Sequence, residues 1–295
     1  MKRPYHILDV FTRRAYAGNP LAVVLDAEGL DAPRMQKMAA AFNLSETVFV
    51  LPPQTAGSRA RLRIFTPATE LPFAGHPTIG TACLLASLDA APGDQDWVLE
   101  LPVGQLPIHL RAVAEGPRHA RLTTAVAPER RPWTGDPAAV AAALGLEPGL
   151  LDPAGLRQAS AGNPFLLVGL RQPETLAALA PRREALQALL AGQWAHGVYV
   201  VARGYEGEWR TRMFAPDLGV IEDPATGSAA AALVGALALE NAATLDQPQR
   251  LLQGFEMGRP SEIEGCARQI EGVGLRVQIG GYAVPVASGE IRLPD

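Results

Sequence analysis

Three short strings carry residue types and spacings suited to acid–base and anion-binding chemistry. Glu46 lies in Asn43-Leu44-Ser45-Glu46-Thr47, and Gly75 and His76 lie in Phe73-Ala74-Gly75-His76-Pro77. Asp223, Gly227 and Ser228 lie in Glu222-Asp223-Pro224-Ala225-Thr226-Gly227-Ser228. Glu46 opens the apolar run Thr47 to Val50, where a carboxyl loses solvation and its neutral form is favoured. Such a group is suited to both giving and taking a proton near neutrality. The plainer alternative is a strand-end glutamate in solvent. His76 and Ser228 each follow a glycine and could orient a hydroxyl, amine or carboxylate. Against that, His76 could be a buried structural histidine and Ser228 a helix cap. Asp223 reads either as the Asp of an Asp-Pro turn or as a site carboxylate. Gly75 and Gly227 leave room for a ligand to approach backbone, or simply make tight turns.

Each Gly-His or Gly-Ser pair precedes a helical segment with no polar face, Thr78 to Leu88 and Ser228 to Leu239. A helix apolar all round is buried on every side, so each is expected to be wrapped by the surrounding strands. Pro77 fits a first helical position, where its missing N–H would have had no partner. The unpaired N–H groups and positive dipole end of such a terminus attract anions. If the two segments face one another, their N-termini converge on one cleft, and a small carboxylated molecule is the natural occupant.

The elements carrying these groups occur twice. Ala17-Gly18-Asn19-Pro20 matches Ala161-Gly162-Asn163-Pro164 at an offset of 144 residues. Arg63-Ile64-Phe65-Thr66-Pro67 matches Arg212-Met213-Phe214-Ala215-Pro216 at 149, and the Gly75 string matches the Gly227 string at 152. Three landmarks in one order predict two copies of one unit. Glu46 to Val50, Arg61 to Phe65, Gly197 to Ala202 and Trp209 to Phe214 read as strands. Asp31 and Pro33 open a helix with an apolar stripe at Met35, Met38, Ala39 and Phe42. Pro128 to Pro137 reads as the linker, and Leu275 to Leu293 as strand with turns at Gly280-Gly281 and Ser288-Gly289. The expected lobes are residues 1–127 and 128–282, with a terminal strand of about 283–295 that could return to the first. The copies differ where chemistry is expected: Trp194 to Val200, the counterpart of the Glu46 region, has no carboxylate.

Composition narrows the function. In 295 residues, 48% are hydrophobic and 19% charged, with a net charge of −4. That is a globular balance with no basic surface for nucleic acid or anionic membrane. Two cysteines, Cys83 and Cys266, make no disulfide framework, so a reducing, cytoplasmic setting is expected. The apolar run Ala229 to Leu239 is about half the ~20 residues of a membrane span. The five histidines, His6, His76, His109, His119 and His196, show no metal-ligand spacing. Nucleophile-elbow, P-loop and dinucleotide motifs are absent.

The three strings resemble the PhzF-like phenazine-biosynthesis isomerase family. So do Ala17-Gly18-Asn19-Pro20, and Gln253-Gly254 with Met257-Gly258-Arg259-Pro260-Ser261. The resemblance runs nearly end to end. It implies a diaminopimelate-epimerase-like α+β fold: two pseudo-symmetric lobes, each a rolled sheet around a central helix. It also implies a site between the lobes and a homodimer. In the family's best-known member a glutamate moves a proton between carbons of a dihydro-hydroxyanthranilic acid without a cofactor. The matching position here is Glu46, and His76, Asp223 and Ser228 match the family's other site residues. Two-thiol racemases of the wider fold carry cysteines where this chain has Ala74 and Thr226, which speaks against that chemistry here. The expectation is a cofactor-free isomerase acting on a small carboxylated, cyclic and unsaturated metabolite. The alternative is a non-catalytic carboxylate-binding or regulatory protein on the same scaffold.

Overall fold

The computed structural model describes residues 1–90, 93–113, 116–218 and 220–294, and shows a mixed α/β chain dominated by sheet. It divides into two compact units, Met1–Thr123 with Gly280–Asp295, and Thr124–Ile279.

In the first unit β1 (Lys2–Val10) pairs antiparallel with β2 (Asn19–Val24), and β2 runs parallel to β3 (Glu46–Leu51). β4 (Ala60–Phe65) is antiparallel to β3 and to the short β5 (Glu70–Leu71). β6 (Gln95–Leu101) runs parallel to β4, and β7 (Gly104–Arg111) and β8 (Arg118–Thr123) complete a meander. The β2–β3 crossover carries α1 (Ala32–Phe42), capped by the Asp31 carboxylate on the Arg34 N–H, with Asn43 in the left-handed region closing its end. Its Met35, Met38 and Ala39 pack on Phe49, Leu51 and Phe65. A second helix, α2 (Gly75–Leu88), is buried over most of its length and contacts β1, β2, β3, β7 and β8. Strands β2 and β3 are buried along most of their length, which is why Leu21 to Val24 and Thr47 to Leu51 read as near-continuous apolar runs.

The second unit follows the same pairing order. After β9 (Glu129–Pro132) and α3 (Pro137–Leu144), β10 (Leu151–Ser160) is antiparallel to β11 (Pro164–Leu170). α4 (Arg183–Leu190) leads to β12 (Val198–Arg203), parallel to β11. β13 (Trp209–Ala215) is antiparallel to β12 and β14 (Val220–Asp223), then comes α5 (Gly227–Glu240). β15 (Gln249–Gln253) is parallel to β13 and antiparallel to β16 (Ser261–Ile270). Val198, Val200 and Ala202 of β12 pack with residues of α3 and α4 such as Val140, Leu144, Leu186 and Leu190. α5 contacts β9, β10, β11 and β16.

Several expectations need correction. The stretch from Pro128 to Pro137 is not a free linker, because Glu129–Pro132 pairs antiparallel with β10. The second unit begins at Thr124, whose N–H donates to the Val277 carbonyl and whose hydroxyl accepts from the Val277 N–H. Nor does the terminal segment turn at its glycine pairs: β17 (Gly274–Arg292) is one strand, and Ala283 to Arg292 run antiparallel to β1. Both long helices begin at their glycine, so Pro77 is the third helical residue and Ser228 the second, and Ser228 does not occupy the capping position. Among the described residues no helix is long and apolar enough to cross a membrane.

Candidate active site

Parallel strands β2 and β3 begin side by side, and their register sets Leu21 opposite Glu46. Asn19 at the head of β2, Glu46 at the head of β3 and His76 in the first turn of α2 come together there. His76 Nε2 lies 3.3 Å from Glu46 Oε2, and the Glu46 side chain is only 17% exposed. The alignment falls short of a full hydrogen bond. Asn19 Nδ2 faces His76 Nδ1 at 3.4 Å. An amide nitrogen can only donate, so Nδ1 is the acceptor and the imidazole proton sits on Nε2, toward Glu46. Burial pushes His76 down to about 3, so the imidazole is neutral at physiological pH. Glu46 thus has a hydrogen-bonding dipole beside it in place of a fixed positive charge. By register the second unit places Gly197 where the first has Glu46. A Cβ there would come within 3.2 Å of the Phe165 ring and the Phe214 carbonyl, so a side chain at that position would press on both.

The turn entering each long helix is clipped by a matched ion pair. Arg63 donates from Nε and Nη2 to the two carboxylate oxygens of Glu70, at 2.7 and 2.6 Å. Arg212 does the same to Glu222, both at 2.8 Å, and adds a bond from Nη1 to the Leu176 carbonyl. These are the arginines of the second repeat landmark. Bidentate forks of this kind fix strand geometry as well as charge. Neither long helix is capped by a side chain at its N-terminus. The surface helices α1 and α3 both are, by Asp31 and Asp136.

In the second unit Asp223 is buried and accepts a 2.6 Å hydrogen bond from the Thr226 hydroxyl. Gln253, fully buried, accepts from the Thr226 N–H and donates to the Asp223 carbonyl and the Thr226 hydroxyl. Behind them the Tyr199 hydroxyl donates to Thr211, and burial raises Tyr199 well above the ordinary phenol range. Ser228 is half-buried two residues beyond Thr226. Gly254 has φ +80°, and a Cβ there would meet the Arg259 carbonyl at 2.4 Å and the Pro224 carbonyl at 2.6 Å. Gly254→Ala should therefore lower unfolding free energy by about 2 kcal/mol or more, read as a shift in urea midpoint.

Asn19, Thr226 and Gln253 are the polar partners that sequence reasoning did not assign. Their signal was present, since Asn19 sits in the repeated Gly-Asn-Pro landmark and Gln253 in a family-like string. Two surface grooves of the first unit, of about 330 and 520 Å³, are lined by other residues and touch neither Glu46 nor His76. Among the described residues no group of three His, Cys, Asp or Glu side chains is arranged to hold a metal ion. Both cysteines are free and buried. Burial pushes the Cys83 thiol up to about 12. Native protein at pH 8 should accordingly leave Cys83 unmodified by an aromatic disulfide reagent, roughly 10³-fold slower than a free thiol, until denaturant is added.

Comparison with known proteins places the chain in a defined class. The sequence model described as "Phenazine biosynthesis-like protein" matches residues 8–289. An uncharacterized isomerase of Mesorhizobium japonicum is 42% identical, with 98% of each chain covered. The trans-2,3-dihydro-3-hydroxyanthranilate isomerase of Pseudomonas aeruginosa is 38% identical over 98% of this chain and 99% of its own. The crystal structure of a Bacillus anthracis phenazine biosynthesis protein of the PhzF family superposes with a TM-score of 0.87. That protein is 26% identical, with 99% of both chains covered. This chain belongs to the phenazine biosynthesis-like (PhzF) family.

Proposed function

We propose that the protein is an isomerase that moves a proton between two carbons of a small carboxylated, cyclic and unsaturated metabolite, without a cofactor. The observation that carries the reading is the pairing of a partly buried Glu46 with the neutral His76. As carboxylate, Glu46 takes a proton from one ring carbon, and the C–H electron pair delocalises toward the substrate carboxylate. As carboxylic acid, it returns the proton to a second carbon on the same face. One group suffices when both carbons lie within its reach. A protonated histidine would hold Glu46 permanently ionised, whereas a neutral one lets both protonation states form.

His76 and the open first turn of α2 at Gly75 hold the substrate beside Glu46, and the turn stabilises charge that develops on the substrate carboxylate. Asp223, Ser228 and the first turn of α5 at Gly227 are read as substrate-holding groups on the family resemblance. Relatives named for trans-2,3-dihydro-3-hydroxyanthranilate support this substrate class, because that compound is a ring bearing both a carboxylate and an amine. The two units are read as copies of one pseudo-symmetric lobe around a central helix, supported by their identical pairing order. The same reading carries a cytoplasmic homodimer. The test is turnover of trans-2,3-dihydro-3-hydroxyanthranilate by protein dialysed against chelator, followed by chromatography. Isomerised product at enzymatic rates is expected. Binding of the compound with no product would favour a carboxylate-binding protein instead.

A further inference from the structure

We infer that Gln253 is a positioning residue: it holds the Thr226 hydroxyl on the Asp223 carboxylate and away from the first turn of α5, so that the carboxylate keeps its orientation for substrate and the turn stays open. The inference rests on the reading of Asp223 and Ser228 as substrate-holding groups. Threonine in an extended conformation at a helix start ordinarily turns its hydroxyl onto the N–H groups of the first turn. Thr226 has that extended backbone and yet makes no such bond.

The reason is where its hydroxyl is held. Gln253 Nε2, 3.0 Å from Thr226 Oγ1, can only donate and occupies an oxygen lone pair that a cap would use. The hydroxyl proton goes to Asp223 Oδ2 at 2.6 Å, so Oγ1 is fixed between these two partners and away from the first-turn N–H groups. The rest of the Gln253 amide locks the arrangement. Oε1 accepts from the Thr226 N–H at 3.2 Å, and Nε2 also donates to the Asp223 carbonyl at 2.7 Å. A wholly buried amide is costly unless its bonds are made, and here donor and acceptor ends are both used. Core filling alone would be served by leucine. Gly254 lets β15 end this close to Pro224, since any side chain there would strike two carbonyls.

The experiment compares full-length wild type with Gln253→Leu, Thr226→Val, Thr226→Ser and a double variant that combines Gln253→Leu with Thr226→Val. The probe is trans-2,3-dihydro-3-hydroxyanthranilate. Gln253→Leu and Thr226→Val should each raise KM about tenfold while kcat stays within about threefold, because orientation of bound substrate is lost and the proton relay is kept. The double variant should be no worse than either single, since both remove one linkage. Thr226→Ser, which keeps the hydroxyl, should retain the wild-type KM. A wild-type KM in Gln253→Leu, or losses that multiply to about a hundredfold in the double variant, would overturn the inference. If Gln253→Leu does not fold, Thr226→Val and Thr226→Ser decide alone: equal KM values overturn it. Absence of wild-type turnover counts against the proposed function, not against this inference. Amide exchange of residues 228–230 then decides, being slower in Gln253→Leu, where Thr226 is released to cap the first turn, if the inference holds, and unchanged or faster if it does not.

Discussion

Glu46→Gln should slow turnover of trans-2,3-dihydro-3-hydroxyanthranilate by about 10² to 10⁴-fold, the usual contribution of a positioned acid–base group. The substitution keeps the shape of the side chain and its 3.3 Å approach to His76, and removes only the capacity to ionise. KM should therefore change little, and the urea midpoint should stay close to that of wild type. A matched fall in kcat and kcat/KM is the signature of an interaction made in the transition state. Asp223→Asn, in contrast, should act mainly on KM, because Asp223 is assigned to holding and not to proton transfer. Near-wild-type kcat in Glu46→Gln would remove the basis of the mechanism.

The second large effect is on stability in acid. The folded protein keeps His76 neutral down to about pH 3, while in the unfolded chain it takes up a proton near 6.5. Between those values the unfolded state binds more protons, so stability rises with pH across the window. His76 costs nothing above pH 6.5, and its penalty grows as the pH falls, by up to about 1.4 kcal/mol per pH unit. At pH 4.5 wild type should have lost roughly 2–3 kcal/mol from this residue relative to pH 7. His76→Gln should flatten that part of the pH dependence, whatever its own effect on stability at pH 7. Urea unfolding at both pH values measures it. An unchanged pH dependence in the variant would mean that His76 is protonated in the folded state.

The halves of the fold that bury apolar faces were legible before any coordinates. Thr47 to Phe49 and Val198 to Ala202 are buried on both sides, so their strands appear as unbroken runs of β-branched, aromatic and small residues. The helices α2 and α5 announce themselves by having no polar face. What stayed hidden has physical causes. β9 is exposed at every residue, so Glu129-Arg130-Arg131-Pro132 carries no apolar period and resembles a loop. Gly280 and Gly289 of β17 are there for close approach and not for turning. A Cβ on Gly280 would lie 2.9 Å from the Ala120 carbonyl, and one on Gly289 would lie 3.0 Å from the Tyr5 ring on the paired strand. Glycine composition alone does not separate those uses.

The site was legible in part, for a related reason. Glu46 stood out because its counterpart lacks a carboxylate, and the register explains the asymmetry through Gly197 and Phe165. The partners that orient the site residues are far away in sequence. Asn19 reaches His76 across 57 residues and Gln253 reaches Thr226 across 27. Pairings at that range depend on strand order, which periodicity does not encode.

The central claim, a single carboxyl relaying one proton, is tested most directly by running the reaction in heavy water and locating deuterium in the product by mass spectrometry and NMR. Deuterium should appear only at the carbon that receives the proton, at no more than one atom per molecule, and Glu46→Gln should form no labelled product on that timescale. Labelled product formed by Glu46→Gln at the wild-type rate would contradict the account.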